Sequence, residues 1–287
     1  MFDIFKNRLE ITGKLSTVTA LRISAGRSTE PIGADLPVIK DSLEQPLIPG
    51  SSFKGALRSR LESFLRGIDI SLAEDPASFT SPTRNQIIKK LKEDYQDDAI
   101  LTDKLLNQTD LISRLFGSPW IASKFQVQDL TVVVDTFGQY QERDGVAIDR
   151  DTETAAEGKL YDFQVVPSGT NFKLKIVVEN AETWELGLLM IGLHQFESEQ
   201  IPLGGGRSRG LGVVSLKIDQ MQWFETEGDS RKLLTYLQNQ VMKNMNDYQY
   251  CEEEMEILKQ DWTEALILHL RNFISSNSTI SANTEQI

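Results

Sequence analysis

Among 287 residues there is one cysteine, Cys251, and there are two histidines, His194 and His269. A single cysteine excludes an internal disulfide, and the chain cannot supply the Cys/His quartet of a structural zinc site. A reducing cytoplasm is the compartment that fits. Histidine acid–base chemistry is equally poorly provided for. His194 stands beside Leu193 in a helical pattern, where a packed core role is expected. No run approaches the roughly 18–20 apolar residues of a membrane span. Residues 1–12 alternate charged and apolar side chains and lack the apolar core of a secretory signal. The chain therefore reads as cytoplasmic and free of the membrane. Positive charge is also in deficit, with 30 Lys and Arg against 42 Asp and Glu, a net of -12. By itself that argues against nucleic acid, whose phosphates are neutralised by Lys and Arg.

The distribution of charge changes this reading. Residues 1–66 hold 10 basic and 7 acidic side chains, a net of +3. Residues 67–123 carry 6 and 9, residues 124–216 carry 8 and 14, and residues 217–287 carry 6 and 12. The acid thus lies outside the first segment, and an acidic protein can still hold a local basic groove.

Hydrophobic periodicity divides the chain into elements. Residues 7–25 alternate, with Leu9, Ile11, Leu15, Val18, Leu21 and Ile23 apolar, which predicts a long strand or a strand pair. After a Gly/Pro loop, Ser51 or Ser52 is a candidate N-cap, followed by Phe53, Leu57, Leu61, Phe64 and Leu65 at helical spacing, with Gly67 as a stop. Residues 68–115 are polar, with helical patches at 86–95 and 103–116, and read as a helical insertion. Residues 125–136 predict a strand. Residues 138–158 are charged and aperiodic, as in an exposed hairpin or loop. Strands are expected at 160–166, 171–180 and 213–218, and a second helix at 183–195. The order β-α-(insertion)-β-(loop)-β-α-β is that of a split βαβ, ferredoxin-like α+β fold, the RRM-like βαββαβ core found in RNA-recognition proteins. Helical patterns at 231–245 and 252–273 form an acidic extension over 225–274. Residues 275–287 have the composition of a disordered tail. The core is expected to occupy 1–224.

Three segments could carry chemistry. Gly204 to Gly212 holds Arg207 and Arg209 among glycines. Backbone N–H groups can approach a phosphate closely there, and the guanidiniums can add charge-assisted bonds. A helix precedes this run and a strand follows, so it is not a dinucleotide fingerprint, and without Gly-Lys-Ser/Thr it is not a P-loop. The plain alternative is a helix-to-strand connection needing positive φ. Pro49 to Arg58 places Lys54 and Arg58 on one face of a helix whose amino end favours anions, with Arg60 pointing elsewhere. The alternative is a capped surface helix with solvated cations. Asp35 lies between Gly33 and Pro37, as a turn former, a general base or a metal ligand.

In this order the segments resemble the RAMP superfamily of CRISPR-associated proteins, and within it the backbone subunits of type III effector complexes. Residues 31–41 leading into 48–55 resemble the family's catalytic loop and first-helix motif. Residues 143–150 resemble the start of its thumb hairpin, and Leu203 to Gly212 its glycine-rich loop. The likeness covers residues 7–218; each motif is weak alone, and the ordered set is specific. It implies a modified ferredoxin-like core with a thumb at about 138–160, stacked with further copies and other effector subunits along a CRISPR RNA. It implies that Asp35, with a divalent metal ion such as Mg2+, cleaves single-stranded target RNA through attack of a ribose 2'-hydroxyl on the adjacent phosphate. That chemistry leaves a 2',3'-cyclic phosphate and a 5'-hydroxyl, with Asp35 as base or metal anchor. By the same resemblance Lys54, Arg58, Arg207 and Arg209 hold guide phosphates, Ser51, Ser52, Gly205 and Gly206 add hydroxyl or backbone contacts, and Arg150 belongs to the thumb.

The chain departs from the family in two places. The insertion lacks the Cys/His zinc site of some relatives and must be held by packing. The acidic extension is outside the shared core, and is expected either to dock on a neighbouring subunit or to cover a face of the sheet. Some backbone subunits have an inactive loop, so a non-catalytic RNA-binding subunit is the alternative; a CRISPR-unrelated protein-interaction domain is the further one. A guide-processing ribonuclease of the same superfamily fits less well. Such enzymes use a histidine near the amino terminus, and here the first is His194.

Overall fold

The alternation beginning at residue 7 forms one strand, β1 (Asn7–Thr17), with Leu9, Ile11 and Leu15 turned inward and Arg8, Glu10, Thr12 and Lys14 outward. The computed structural model describes residues 4–26, 34–149, 151 and 154–284. After β1 come the short β2 (Leu47–Ile48) and helix α1 (Gly50–Ile68), then α2 (Pro82–Asp94), α3 (Asp98–Asn107) and α4 (Leu111–Phe116). Strands β3 (Phe125–Val127) and β4 (Leu130–Thr131) precede a hairpin, β5 (Gln141–Asp149) and β6 (Thr154–Val165). The core closes with β7 (Asn171–Glu179), α5 (Thr183–Glu197) and β8 (Val214–Glu225). Helix α6 (Ser230–Val241), strand β9 (Gln249–Tyr250) and helix α7 (Glu252–Thr284) follow.

The main sheet has the order β3-β7-β1-β8-β9, with every neighbouring pair antiparallel. Its first four members, in chain order, take the spatial order 2-3-1-4, the ferredoxin-like arrangement expected from the element order. Helices α1 and α5 cover one face. Phe53, Leu57, Leu61 and Leu65 of α1 recur at helical spacing and are buried, and Phe53 stacks on Phe196 of α5 at 4.6 Å between ring centres. Each such side chain contributes about 1.5–3 kcal/mol by leaving water.

Several boundaries differ from those expected. The helix at 50 has no serine cap. Gly50 is its first residue, and its N–H donates to Asp129 Oδ1 at 2.7 Å, so a carboxylate 79 residues away caps it. That contact also explains why 125–136 is not one strand. The chain leaves the sheet after Val127, brings Asp129 to α1, pairs Leu130 and Thr131 with β2, and finishes in a 3-10 turn at Val134–Thr136. The β-forming valines cannot override that detour. In the insertion, residues 103–116 are two helices, because Asp110 Oδ1 accepts from Ser113 N–H at 2.9 Å and starts α4 afresh. Ile88, Leu105 and Ile121 give this lobe a small core of its own. Strands β5 and β6 form a separate hairpin, one of the two forms expected for 138–158; the strand expected at 160–166 is the end of its second arm and is not a member of the main sheet. The last core strand runs to Glu225, past the expected end at 218, because Met221 and Trp223 continue in register with Ile11 and Leu9.

The acidic extension has intramolecular partners. Trp262, Leu266 and Leu270 of α7 are buried as part of the main core, and β9 joins the sheet edge. Tyr236 of α6 stacks on Phe224 at 3.9 Å, over the far end of the other face of the sheet. Helix α6 stops at Val241, short of the expected 245. The expected tail at 275–287 falls on the last turns of α7 and on residues 285–287, which lie outside the described residues.

At the amino end of α5, Glu185 is buried, accepts from the Glu182 N–H at 2.7 Å and forms an ion pair with the buried Lys124. Burial pushes the Glu185 carboxyl up, against the pull of Lys124. Glu185→Ala strands the Lys124 charge, so we expect unfolding free energy to fall by about 3–5 kcal/mol in denaturant titration. A loss below about 1 kcal/mol would show that the pair does not anchor this helix.

Candidate nucleic-acid interface

The glycine-rich segment is shaped by conformations that favour glycine. Gly204, Gly206, Gly210 and Gly212 all have φ between 72° and 87°. At Gly204 and Gly212 a Cβ would also meet a carbonyl oxygen at 2.1 Å, from Arg22 and Leu203 respectively. The segment is therefore a built turn around the 3-10 residues Arg207–Arg209. The Gly205 N–H donates to Arg22 O at 2.8 Å and is not free for a phosphate. Among the described residues, the amides of Gly206, Arg207 and Ser208 have no intramolecular acceptor.

This turn faces helix α1 across a groove of about 520 Å³. The helical wall presents Ser51, Ser52, Gly55, Ser59, Arg60 and Ser63, and the opposite wall Gln200, Gly204 and Arg207. Small side chains four apart leave room for a backbone to lie against the helix. The groove's helical cation is Arg60, the one expected to point elsewhere. It bonds Gln195 and Gln200 at 3.2–3.4 Å and lies 4.6 Å over the Phe64 ring.

Lys54 and Arg58 do share a face, but it is the opposite one and is used internally. Lys54 Nζ donates to Ser123 Oγ at 2.8 Å. Burial first, and then the neighbouring Arg58, push its ammonium below the usual lysine value. Arg58 pairs with the buried Glu62 at 2.8 Å and donates to Gly117 O and Ser113 Oγ at 3.0 and 3.1 Å. Both cations tie α1 to the insertion and the entry to β3, and neither lines the groove. The amino end of α1, expected to attract an anion, already holds the Asp129 carboxylate. Arg150 lies outside the described residues.

Asp35 is exposed and sits at the foot of the hairpin. Its N–H donates to Asp162 Oδ1 at 2.9 Å, and its own Oδ2 accepts from the Asp162 N–H at a longer 3.4 Å. Leu36 forms a bridge beside Phe163, and Gln164 N–H donates to Leu36 O at 3.1 Å. The residues on either side of Asp162 hold the other parts of the site. Tyr161 OH accepts from Arg209 Nη1 at 3.2 Å, and the Phe163 ring carries the Arg22 guanidinium at 4.7 Å. Arg22 Nε is buried and has no hydrogen-bond partner. Among the described residues, Arg22, Arg60, Arg207 and Arg209 form no ion pair. Arg22, Arg60, Tyr161 and Asp162 were not singled out from sequence. They sit in ordinary strand and helix patterns, and only the fold brings them beside the loop.

A ferredoxin-like sheet, a glycine-built groove with unpaired arginines and a hairpin clamped to an acid-bearing loop define the class of α+β protein to which the chain belongs. Within that class the chain belongs to the RAMP superfamily, whose family model matches residues 14–215. It is 29% identical over 231 residues to the CRISPR system Cms endoribonuclease Csm3 of Enterococcus italicus, covering 79% of this chain and 98% of that protein. It is 25% identical over 235 residues to the protein of the same name from Methanothermobacter thermautotrophicus, covering 74% and 85%. Its fold is similar to a chain of a type III-B Cmr-beta assembly solved by cryo-EM in the apo state. There the TM-score is 0.50, identity is 14%, and the match covers 73% of this chain and 97% of that one.

Asp162→Ala removes the acceptor that holds the Asp35 amide, whereas Asp162→Asn keeps an oxygen there. A hydrogen bond to a charged group stabilises by about 1.5–3 kcal/mol. Amide exchange at residues 35–38 is therefore expected to accelerate about tenfold or more in the alanine variant and to change little in the asparagine variant. Equal exchange in wild type and Asp162→Ala would show that the loop is held by other contacts.

Proposed function

We propose that this chain is a guide-RNA-binding backbone subunit of a type III CRISPR interference complex, and that it cleaves the complementary target RNA. The observation that carries the reading is a set of guanidiniums without carboxylate partners: Arg60 and Arg207 line the groove, and Arg209 and Arg22 engage Tyr161 and Phe163, which flank the Asp162 that contacts the exposed Asp35. The relatives named Csm3 are described as endoribonucleases of a CRISPR system, and their likeness extends over most of this chain. The partners are the CRISPR RNA, the single-stranded target, and other effector subunits including further copies. No helix among the described residues is long and apolar enough to cross a membrane.

In this reading guide phosphates lie along the groove, held by Arg60 and Arg207, by the hydroxyls of Ser51 and Ser52, and by the free amides of Gly206 and Ser208. Base pairing selects the sequence, and the protein contacts backbone and shape. Asp35 takes the proton from the ribose 2'-hydroxyl; that oxygen attacks the adjacent phosphorus to close the 2',3'-cyclic phosphate, and the bond to the next 5'-oxygen breaks, that oxygen taking a proton from water to leave as the 5'-hydroxyl. Arg209 and Arg22 face the charge that builds on the phosphate. Asp162 holds the Asp35 loop in place, as a positioning residue.

The residues present fit a hard divalent cation such as Mg2+. Asp35 and Asp162 adjoin, and Asp144 stands opposite Asp162 in the hairpin register. Among the described residues no set of three or more acid, His or Cys ligands is gathered, so Asp35 and Asp162 would hold the ion together with substrate phosphates. Bound there, the ion supplies charge stabilisation at the phosphate.

Asp35→Ala, assembled into the complex, is expected to abolish cleavage opposite this subunit while guide and target binding persist. Cutting that continues unchanged would identify the chain as a structural RNA-binding subunit. In binding titrations with single-stranded RNA, Arg60→Gln and Arg207→Gln are each expected to reduce the slope of log affinity against log salt by about 0.7. Arg58→Gln is expected to lower thermal stability and leave that slope unchanged.

A further inference from the structure

The face of the sheet away from α1 and α5 carries a row of three lysines. Lys14 of β1 stands directly opposite Lys173 of β7 on one side and Lys217 of β8 on the other. All three side chains are exposed, and among the described residues none makes an ion pair or a hydrogen bond. A fourth lysine on the same face, Lys175, shows the contrast, because it pairs with Glu10. Like charges directly opposite each other across strands are destabilising. In a chain of net charge -12, three adjacent uncompensated cations on a rigid sheet are therefore a feature to explain.

The flanking rows are polar: Asn171, Ser16 and Ser215 on one side, and Lys175, Thr12 and Gln220 on the other, where the Lys175 charge is already matched by Glu10. These rows offer no aromatic ring for base stacking and no apolar patch of the kind that forms the centre of a protein interface. Lysine is itself depleted in such interfaces. The match is to a flexible chain of phosphates. The row leads along β1 toward the end of the glycine-rich turn. Val18, four residues and about 13 Å along the chain from Lys14, donates its N–H to the carbonyl of Val213, directly after the glycine-rich turn.

We propose that this row, Lys14, Lys173 and Lys217, is a second contact for the phosphodiester backbone of RNA, continuing the path of the strand from the groove onto the open face of the sheet. The proposal rests on the RNA-binding reading given above. It adds a site on the other face of the sheet, one that reads charge and not sequence.

The test uses the full-length chain and a fluorescently labelled oligouridylate, which has no sequence or secondary structure to be recognised. Lys14→Gln, Lys173→Gln and Lys217→Gln are combined. Each phosphate contact on a single strand contributes about 0.7 to the salt slope, so the triple variant is expected to lose about 2 units of slope and to bind more weakly at low salt. Its melting temperature is expected to hold or rise, because the cross-strand repulsion is gone. The comparison is Arg60→Gln with Arg207→Gln. If the arginine pair lowers affinity and the lysine triple does not, the row is not an RNA contact and the groove reading stands. If neither set changes binding, the groove reading fails with it. A triple variant that binds RNA normally but changes its sedimentation coefficient would overturn the proposal in favour of a protein-docking surface.

Discussion

Three consecutive residues at the foot of the hairpin hold the candidate site together. Tyr161 engages Arg209 of the glycine-rich turn, Asp162 exchanges contacts with Asp35, and Phe163 supports Arg22. Arg22 and Asp35 come from the segment after β1, and Arg209 from the far end of the core, so the hairpin joins the two ends of the domain's sequence. Main-chain bridges beside them, Leu36 to Phe163 and Leu21 to Val166, keep the strand from sliding. Gly145, opposite Tyr161, has no side chain because a Cβ there would lie 2.3 Å from the tyrosine ring. A movement of the hairpin would thus be transmitted to the acid and to the cations together. That is a useful property if the hairpin is the part that rests on a nucleic-acid duplex.

The electrostatics follow from which charges the fold neutralises. Lys54, Arg58, Arg66, Arg84 and Lys124 are absorbed into internal contacts, several with buried or half-buried acids. Arg22, Arg60, Arg207, Arg209 and the three-lysine row keep no acidic partner among the described residues. A net charge of -12 is then compatible with a local cationic path, because these cations are not consumed by ion pairs while much of the acid lies in other parts of the fold. The acidic extension contributes by packing. Trp262, Leu266 and Leu270 complete the core on the α5 side, so its charge faces away from that contact.

What the sequence determined by itself was the set and order of regular elements and the segments that carry chemistry. Periods of two and 3.6 in the apolar pattern place β1, α1 and β7, since each buries one face against the same core, and the apolar run of α5 marks a helix enclosed between α1 and α7. Glycines at 204, 206, 210 and 212 announce a turn with positive φ, a local backbone property. The tertiary structure alone decided which charges remain available. Lys54 and Arg60 look alike in a helical pattern, and only the packing of residues 113–125 against one side of α1 consumes the first and leaves the second in the groove. Asp129 capping α1, Asp162 holding Asp35, and the lysine row across three strands all join residues far apart in the chain. Their pairing depends on strand register and side-chain direction, which no local pattern encodes.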